Sequence, residues 1–313
     1  MKLTKSLALA ATTLAFAFGE ASELELEREP RSLYTYGFGG LETNETVQSA
    51  QLLKRLGYAG IAVEGRGEDS LSRLDKYYEW SDCEGEGFDI VGAYMAHRFD
   101  QYGFDDSAQR AAIDRIAGKE GATLWTWARD TKQDGSVTDE KVEAFFEGIY
   151  EYAHSRGVKV VLYPHYNTYY PTTEAALPLV EKIDQPDFQV AINLCHELMS
   201  YKGDQLAKTF ARAEGRIGAI ILSGALIDLD QTSVRSINES TIMSLDESIY
   251  DVRPYLKLIK DSRFDGPIGF INYRLDRLYE PEDYLARTMA KWRELCEEVE
   301  LYERSYNEPT ISF

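Results

Sequence analysis

The chain is poor in cysteine, histidine and positive charge. Of its 313 residues three are Cys and four are His. Cys83, Cys195 and Cys296 are too few and too scattered for a disulfide framework. In an exported chain an odd count leaves at least one free thiol or an intermolecular bridge. Cys195, between Asn193 and His196, reads as a buried, inert thiol that strand alternation turns away from its neighbours, rather than as a nucleophile. Lys and Arg number 34 against 53 Asp and Glu, a formal charge of −19. So acidic a surface repels nucleic-acid phosphate and anionic membrane and keeps the chain soluble, which argues against both as partners.

Long apolar runs are also missing, except at the start. Lys2 and Lys5 precede SLALAATTLAFAF, with the small residues Ala17, Gly19 and Ala21 as cleavage positions. Residues 1–22 are therefore expected to be a signal peptide, making the mature protein secreted or periplasmic. The run falls short of the roughly 20 apolar residues that span a bilayer, so no membrane association is expected after cleavage. Residues 23–30 read as an exposed acidic leader, 31–305 as one folded domain and 306–313 as a polar tail.

What is present is a repeated alternation. Apolar segments SLYTYGFGG, GIAVEG, FDIVGAYMAH, GATLWTWA, VKVVLYPHY, FQVAINLCH, GRIGAIILSGA and GPIGFINY are separated by helical patterns such as DEKVEAFFEGIYEYAHSRG and TEAALPLVEKI. The last helix carries Leu285, Met289, Trp292, Leu295 and Cys296 at helical spacing. Eight strands alternating with helices predict the α/β class, as a single-domain (β/α)8 TIM barrel. A doubly wound sheet would call for G-x-G-x-x-G after the first strand, and YGFGGLETN lacks that register.

In such a barrel the C-terminal strand ends line the mouth where chemistry occurs. Two of the four histidines, His165 and His196, fall at the ends of the fifth and sixth strands. His97 follows the third strand, and His154 reads as a favourable cation at a helix C-terminus. Tyr36, Phe38, Tyr94, Trp125, Trp127, Tyr163, Tyr166, Tyr169, Tyr170 and Tyr273 fall at or beyond strand ends, an aromatic rim suited to stacking on sugar faces, about half of it expected to be packing. Glu64, Arg66 and Arg129 are the charged candidates there; either arginine suits an acidic sugar, a phosphate or a local carboxylate. Asp228 and Asp230 read as loop caps.

LYPHYN at the fifth strand, NLCH at the sixth, SGA at the seventh and GPIGFINY at the eighth resemble the xylose isomerase-like barrels: sugar isomerases, sugar-phosphate isomerase/epimerases and type 2 AP endonucleases. The resemblance implies a divalent cation held by a Glu at the fifth strand, an Asp three residues before a His at the sixth, a polar ligand at the seventh and a Glu at the eighth. Here Tyr163, Asn193, Ser223 and Ile271 or Asn272 stand at those places, and only His196 is retained. Neutral oxygens hold a hard cation poorly, so the substitutions argue against a tightly bound one. The two imidazoles with Glu197 or Glu64 remain a donor set for Zn²⁺.

Two readings follow. One is an exported sugar isomerase/epimerase that binds a carbohydrate or derivative at the mouth, with His165, His196 and Asn193 catalytic. Tyr94, Trp125, Trp127, Tyr163, Tyr166, Glu64, Asn272 and Tyr273 would then contact the substrate. The other is a non-catalytic carbohydrate-binding protein on the same scaffold. An endonuclease is disfavoured by charge and by too few ligands.

Overall fold

The computed structural model describes residues 28–36, 46–227 and 240–304. The signal segment, the glycine turn with Phe38, Asp228, Asp230 and the tail 306–313 lie outside them. Eight strands close into a parallel barrel in chain order: β1 (Leu33–Tyr36), β2 (Gly60–Glu64), β3 (Asp89–Arg98), β4 (Thr123–Arg129), β5 (Lys159–Leu162), β6 (Phe188–Asn193), β7 (Ile217–Leu222) and β8 (Ile268–Ile271). β8 pairs with β1, Ile271 beside Tyr36, so no sheet edge is left to cover.

The helices form the outer layer: α1 (Thr46–Leu56), α2 (Glu68–Cys83), α3 (Phe99–Tyr102), α4 (Ser107–Ile116), α5 (Asp139–Ser155), α6 (Thr173–Ile183), α7 (Leu194–Met199), α8 (Leu206–Ala213), α9 (Arg253–Asp261) and α10 (Pro281–Val299). In α5, Val142, Phe145, Phe146, Ile149 and Ala153 recur at helical spacing and are the residues buried. α10 does the same with Tyr284, Leu285, Met289, Trp292, Leu295 and Cys296, and Pro281 starts it where a missing N–H costs nothing.

Strand alternation decides what enters the barrel, because register partners on neighbouring strands face the same side. Tyr94 pairs with Trp125, and Trp125 with Val161. Large rings fit the interior because glycines face them. A Cβ on Gly92 would lie 2.6 Å from the Trp125 indole nitrogen, and one on Gly269 would collide with the Tyr36 ring. Tyr36 meets Trp125 edge-on at 4.5 Å, and both are fully buried. They therefore plug the barrel beneath its mouth and are not part of a rim.

The chain enters the domain at Pro30, which bridges Tyr302, while Glu303 N donates to the carbonyl of the exposed Glu29 and Trp292 Nε1 donates to that of Arg31. One further expectation changes. Cys195 lies in a helical turn rather than a strand, and its thiol donates to Asn193 Oδ1 instead of turning away. It is buried, and burial pushes the thiol well above its ordinary range.

Candidate functional site

β5 stops at Leu162, and Tyr163, Pro164 and His165 continue from it into a tight loop. Tyr163 N still donates to the Thr126 carbonyl, so the phenol keeps its inward direction. The loop turns at Asn167, φ +59°, a conformation that asparagine tolerates better than most side chains, and it closes with His165 N donating to the Tyr170 carbonyl. β6 ends at Asn193 and the chain enters α7 at once, which places His196 in a helical turn rather than at a strand end.

These two irregularities bring the imidazoles together, with ring centroids 3.9 Å apart. Trp127 stacks on His165 at 4.6 Å with the planes 22° apart, and its Nε1 donates to the Tyr94 hydroxyl. Tyr94 meets Tyr163 edge-on at 5.1 Å, and the Tyr163 oxygen accepts from Asn193 Nδ2 at 2.5 Å.

The hydrogen bonds fix what each imidazole offers. His165 Nδ1 lies 2.9 Å from the Tyr166 carbonyl, which only accepts, so Nδ1 carries the proton and Nε2 keeps a lone pair. His196 is 4% exposed, and neither of its ring nitrogens has a partner among the described residues. A buried polar group left so costs free energy unless something else meets it. Burial is the main force holding His165 down to about 4, helped by the nearby Arg129 charge and opposed by the Tyr166 carbonyl. Burial, then His165, keeps His196 well below the ordinary imidazole range. Both are neutral at pH 7.

The other candidates divide. Glu64 ends β2 and pairs with Arg66 at 3.2 Å. Tyr166 is half-buried beside His165, whereas Tyr273 is exposed under the Arg274 guanidinium. Trp125 and Tyr163 are buried beneath the mouth, Trp125 with its indole nitrogen enclosed, so direct substrate contact by Trp125 is not supported. Asn272 faces the helical layer, where its amide donates to the Tyr284 hydroxyl, so it does not orient a ligand in the barrel. The β8–β1 register puts Ile271 inside instead. Tyr169 and Tyr170 pack on α5, through Asp139 and Phe146. His97 also faces outward, held by the Gly103 carbonyl and Gln109 and packed against Phe145. His154 sits 2.6 Å from Asp187 at the far end of α5.

The fold implies a divalent cation at this end of the barrel, but the donors present do not fit one. Tyr163 and Asn193 are bonded to each other, and Ser223 donates to the Thr241 carbonyl. Glu197 accepts from Thr173 N at the start of α6, and Glu64 is engaged by Arg66. Among the described residues no group of three or more His, Cys, Asp and Glu is placed to hold a metal. A cavity of about 470 Å³ opens at the opposite end, among the strand starts at Asp89, Thr123 and Lys159, and includes none of the candidate residues.

Sequence comparison matches residues 50–295 to the xylose isomerase-like TIM barrel family. The chain belongs to that family. No curated protein matches it. Among solved structures it resembles 3-keto-D-glucoside 4-epimerase from E. coli, at 12% identity and TM-score 0.63 over 85% of this chain and 100% of that one. A xylose isomerase domain protein from Planctomyces limnophilus gives 12% and 0.65 over 87% and 99%, and D-psicose 3-epimerase from Clostridium cellulolyticum H10 gives 11% and 0.60 over 86% and 100%. At such identities the likeness establishes the fold. The mouth of this member holds a pair of neutral imidazoles against Trp127, with neutral Tyr163 and Asn193 below.

Proposed function

We propose that this chain is an exported isomerase/epimerase-like barrel that takes a carbohydrate or derivative at the C-terminal mouth, independently of a carboxylate-held cation. The observation that carries the reading is His196, a buried imidazole with both nitrogens unpartnered beside His165 and the Trp127 face. A sugar ring stacked on that indole would present hydroxyls that both donate and accept, as a neutral imidazole does. His165 Nε2 is the available base. It would take a proton from a carbon next to a carbonyl while a His196 N–H bonds the carbonyl oxygen, and return the proton to the same or the adjacent carbon. The epimerases among the structural neighbours make ketoses and keto-sugars the first substrates to test.

Candidate sugars incubated in D₂O are expected to gain deuterium at one carbon, and His165→Ala and His196→Ala to abolish the gain. No incorporation across the panel, with or without added Mn²⁺ or Zn²⁺, overturns the catalytic reading. The second reading, a carbohydrate-binding protein without turnover, is favoured by one observation. A base held near 4 has little driving force to remove a proton from carbon at pH 7. Calorimetric binding lost in His196→Ala, with no exchange in the wild type, selects it.

A further inference from the structure

The inward face of β4 runs Trp125, Trp127, Arg129, and the last of these reaches the mouth. Arg129 is half-buried and makes no hydrogen bond or ion pair with any described residue. That is unexpected in a chain of net charge −19, where carboxylates are plentiful. Four described carboxylates at this end of the barrel have other partners. Its register partner Arg98 takes Asp100 at 2.8 Å, and Asp130 Oδ1 accepts from Lys132 N and Gln133 N of its own turn. Asp139 accepts from the Tyr169 hydroxyl, and Glu64 is held by Arg66. A guanidinium presents five donors in a rigid fork, and here no described residue takes any of them.

The second observation is independent of charge. His196, also at this mouth, is buried with two unpartnered nitrogens, so an unmet cation and unmet neutral donor and acceptor sites lie at the same end of the barrel. A ligand satisfying both carries hydroxyls at one part and an anionic group at another.

We propose that Arg129 binds the anionic group of the ligand and that this ligand is a sugar acid, a uronate or aldonate, rather than a neutral sugar. The inference rests on the carbohydrate reading above and narrows it. A carboxylate matches one fork in bidentate geometry and in charge. A phosphate monoester offers the same kind of contact with close to twice the charge, and a single unpaired guanidinium within a strongly acidic protein suits it less well. Bound anion would also offset the Arg129 charge that disfavours protonation of His165, making His165 a stronger base when the correct ligand is present.

Calorimetry with matched probes tests this: glucose, glucuronate, gluconate and glucose 6-phosphate, then galactose and galacturonate, at low salt. At least one acid is expected to bind roughly tenfold or more tightly than its neutral parent, as a net gain of about 1.4 kcal/mol from a charge-assisted pair requires. In Arg129→Gln that ratio falls to about one, and Arg129→Lys, which keeps the charge and loses the fork, falls between. Circular dichroism and melting temperature confirm that the variants fold. Neutral sugars binding as tightly as their acids, or a preference that survives in Arg129→Gln, overturns this inference alone. Glucose 6-phosphate outbinding the acids replaces the carboxylate with a phosphate. Failure of every probe, neutral and charged, overturns the carbohydrate reading and this inference with it.

Discussion

His165 makes a pH prediction that needs no knowledge of the substrate. Its imidazole titrates at an ordinary 6.5 in the unfolded chain and at about 4 in the fold, chiefly because burial penalises the cation. The folded value is depressed, so the unfolded state binds the proton more readily. Stability is full above pH 6.5 and is lost as pH falls toward about 4. At about 1.4 kcal/mol per pH unit the loss is about 3 kcal/mol, a large part of the 5–15 kcal/mol that a folded domain has. His196 acts in the same direction, and Glu197, raised mainly by burial, acts oppositely because protonating it favours the fold. Comparing the wild type with His165→Asn isolates the term. The asparagine amide can still donate to the Tyr166 carbonyl, but it cannot take up a proton in this range. Urea unfolding at pH 7.5, 6.5, 5.5 and 4.5 is expected to show the stability difference shifting by 2–3 kcal/mol in favour of the variant as pH falls, on the order set by that linkage. Parallel curves across the range would show that His165 titrates normally in the fold, and the account of a neutral imidazole pair would be wrong.

Gly269→Ala drives a methyl into the Tyr36 ring and is expected to cost about 1–3 kcal/mol or more, read as a lower melting temperature; an unchanged melt refutes the interior packing described. Asn193→Ala removes the partner of both the Tyr163 hydroxyl and the Cys195 thiol, costing about 1–3 kcal/mol for buried groups left unpaired. Denaturant unfolding checks it, and a neutral result means that water replaces the amide. Glu197→Ala exposes the Thr173 N–H at the start of α6 and is expected to lose about 1 kcal/mol, with Glu197→Gln losing less because it still accepts. Equal losses in the two would place the role of Glu197 elsewhere. NMR titration of Arg129→Gln is expected to show His165 titrating higher than in the wild type, since a repelling charge has gone; no change would put Arg129 too far away to act on it.

Much of the candidate site follows from strand periodicity, and its errors have local causes. Trp127 and Tyr94 face inward as period two requires, and they meet. Asn272 was one register position off: whether residue 271 or 272 enters the barrel depends on how β8 pairs with β1, which no local pattern reveals. Trp125 lies on the expected face but too deep, since depth is set by strand stagger and by the glycines opposite. His97 looked equivalent to the other strand-end histidines, but the odd-numbered face of β3 turns it toward Gln109 and Phe145. Glu197 looked like a possible metal helper because its cap on α6 joins residues 24 apart in sequence.

The sequence by itself determined the barrel, since eight apolar runs spaced by amphipathic helices have few other ways to bury both faces of every strand. It also determined that neutral Tyr163, Asn193 and Ser223 stand where the resemblance leads one to expect metal ligands, because residue identity is chemistry that no folding can change. Only the tertiary structure decided that His165 and His196 touch, that both are neutral, and that Arg129 is answered by no described residue. Protonation and pairing depend on distances between separate strands and on exclusion of water, and both exist only once the ring of strands has closed.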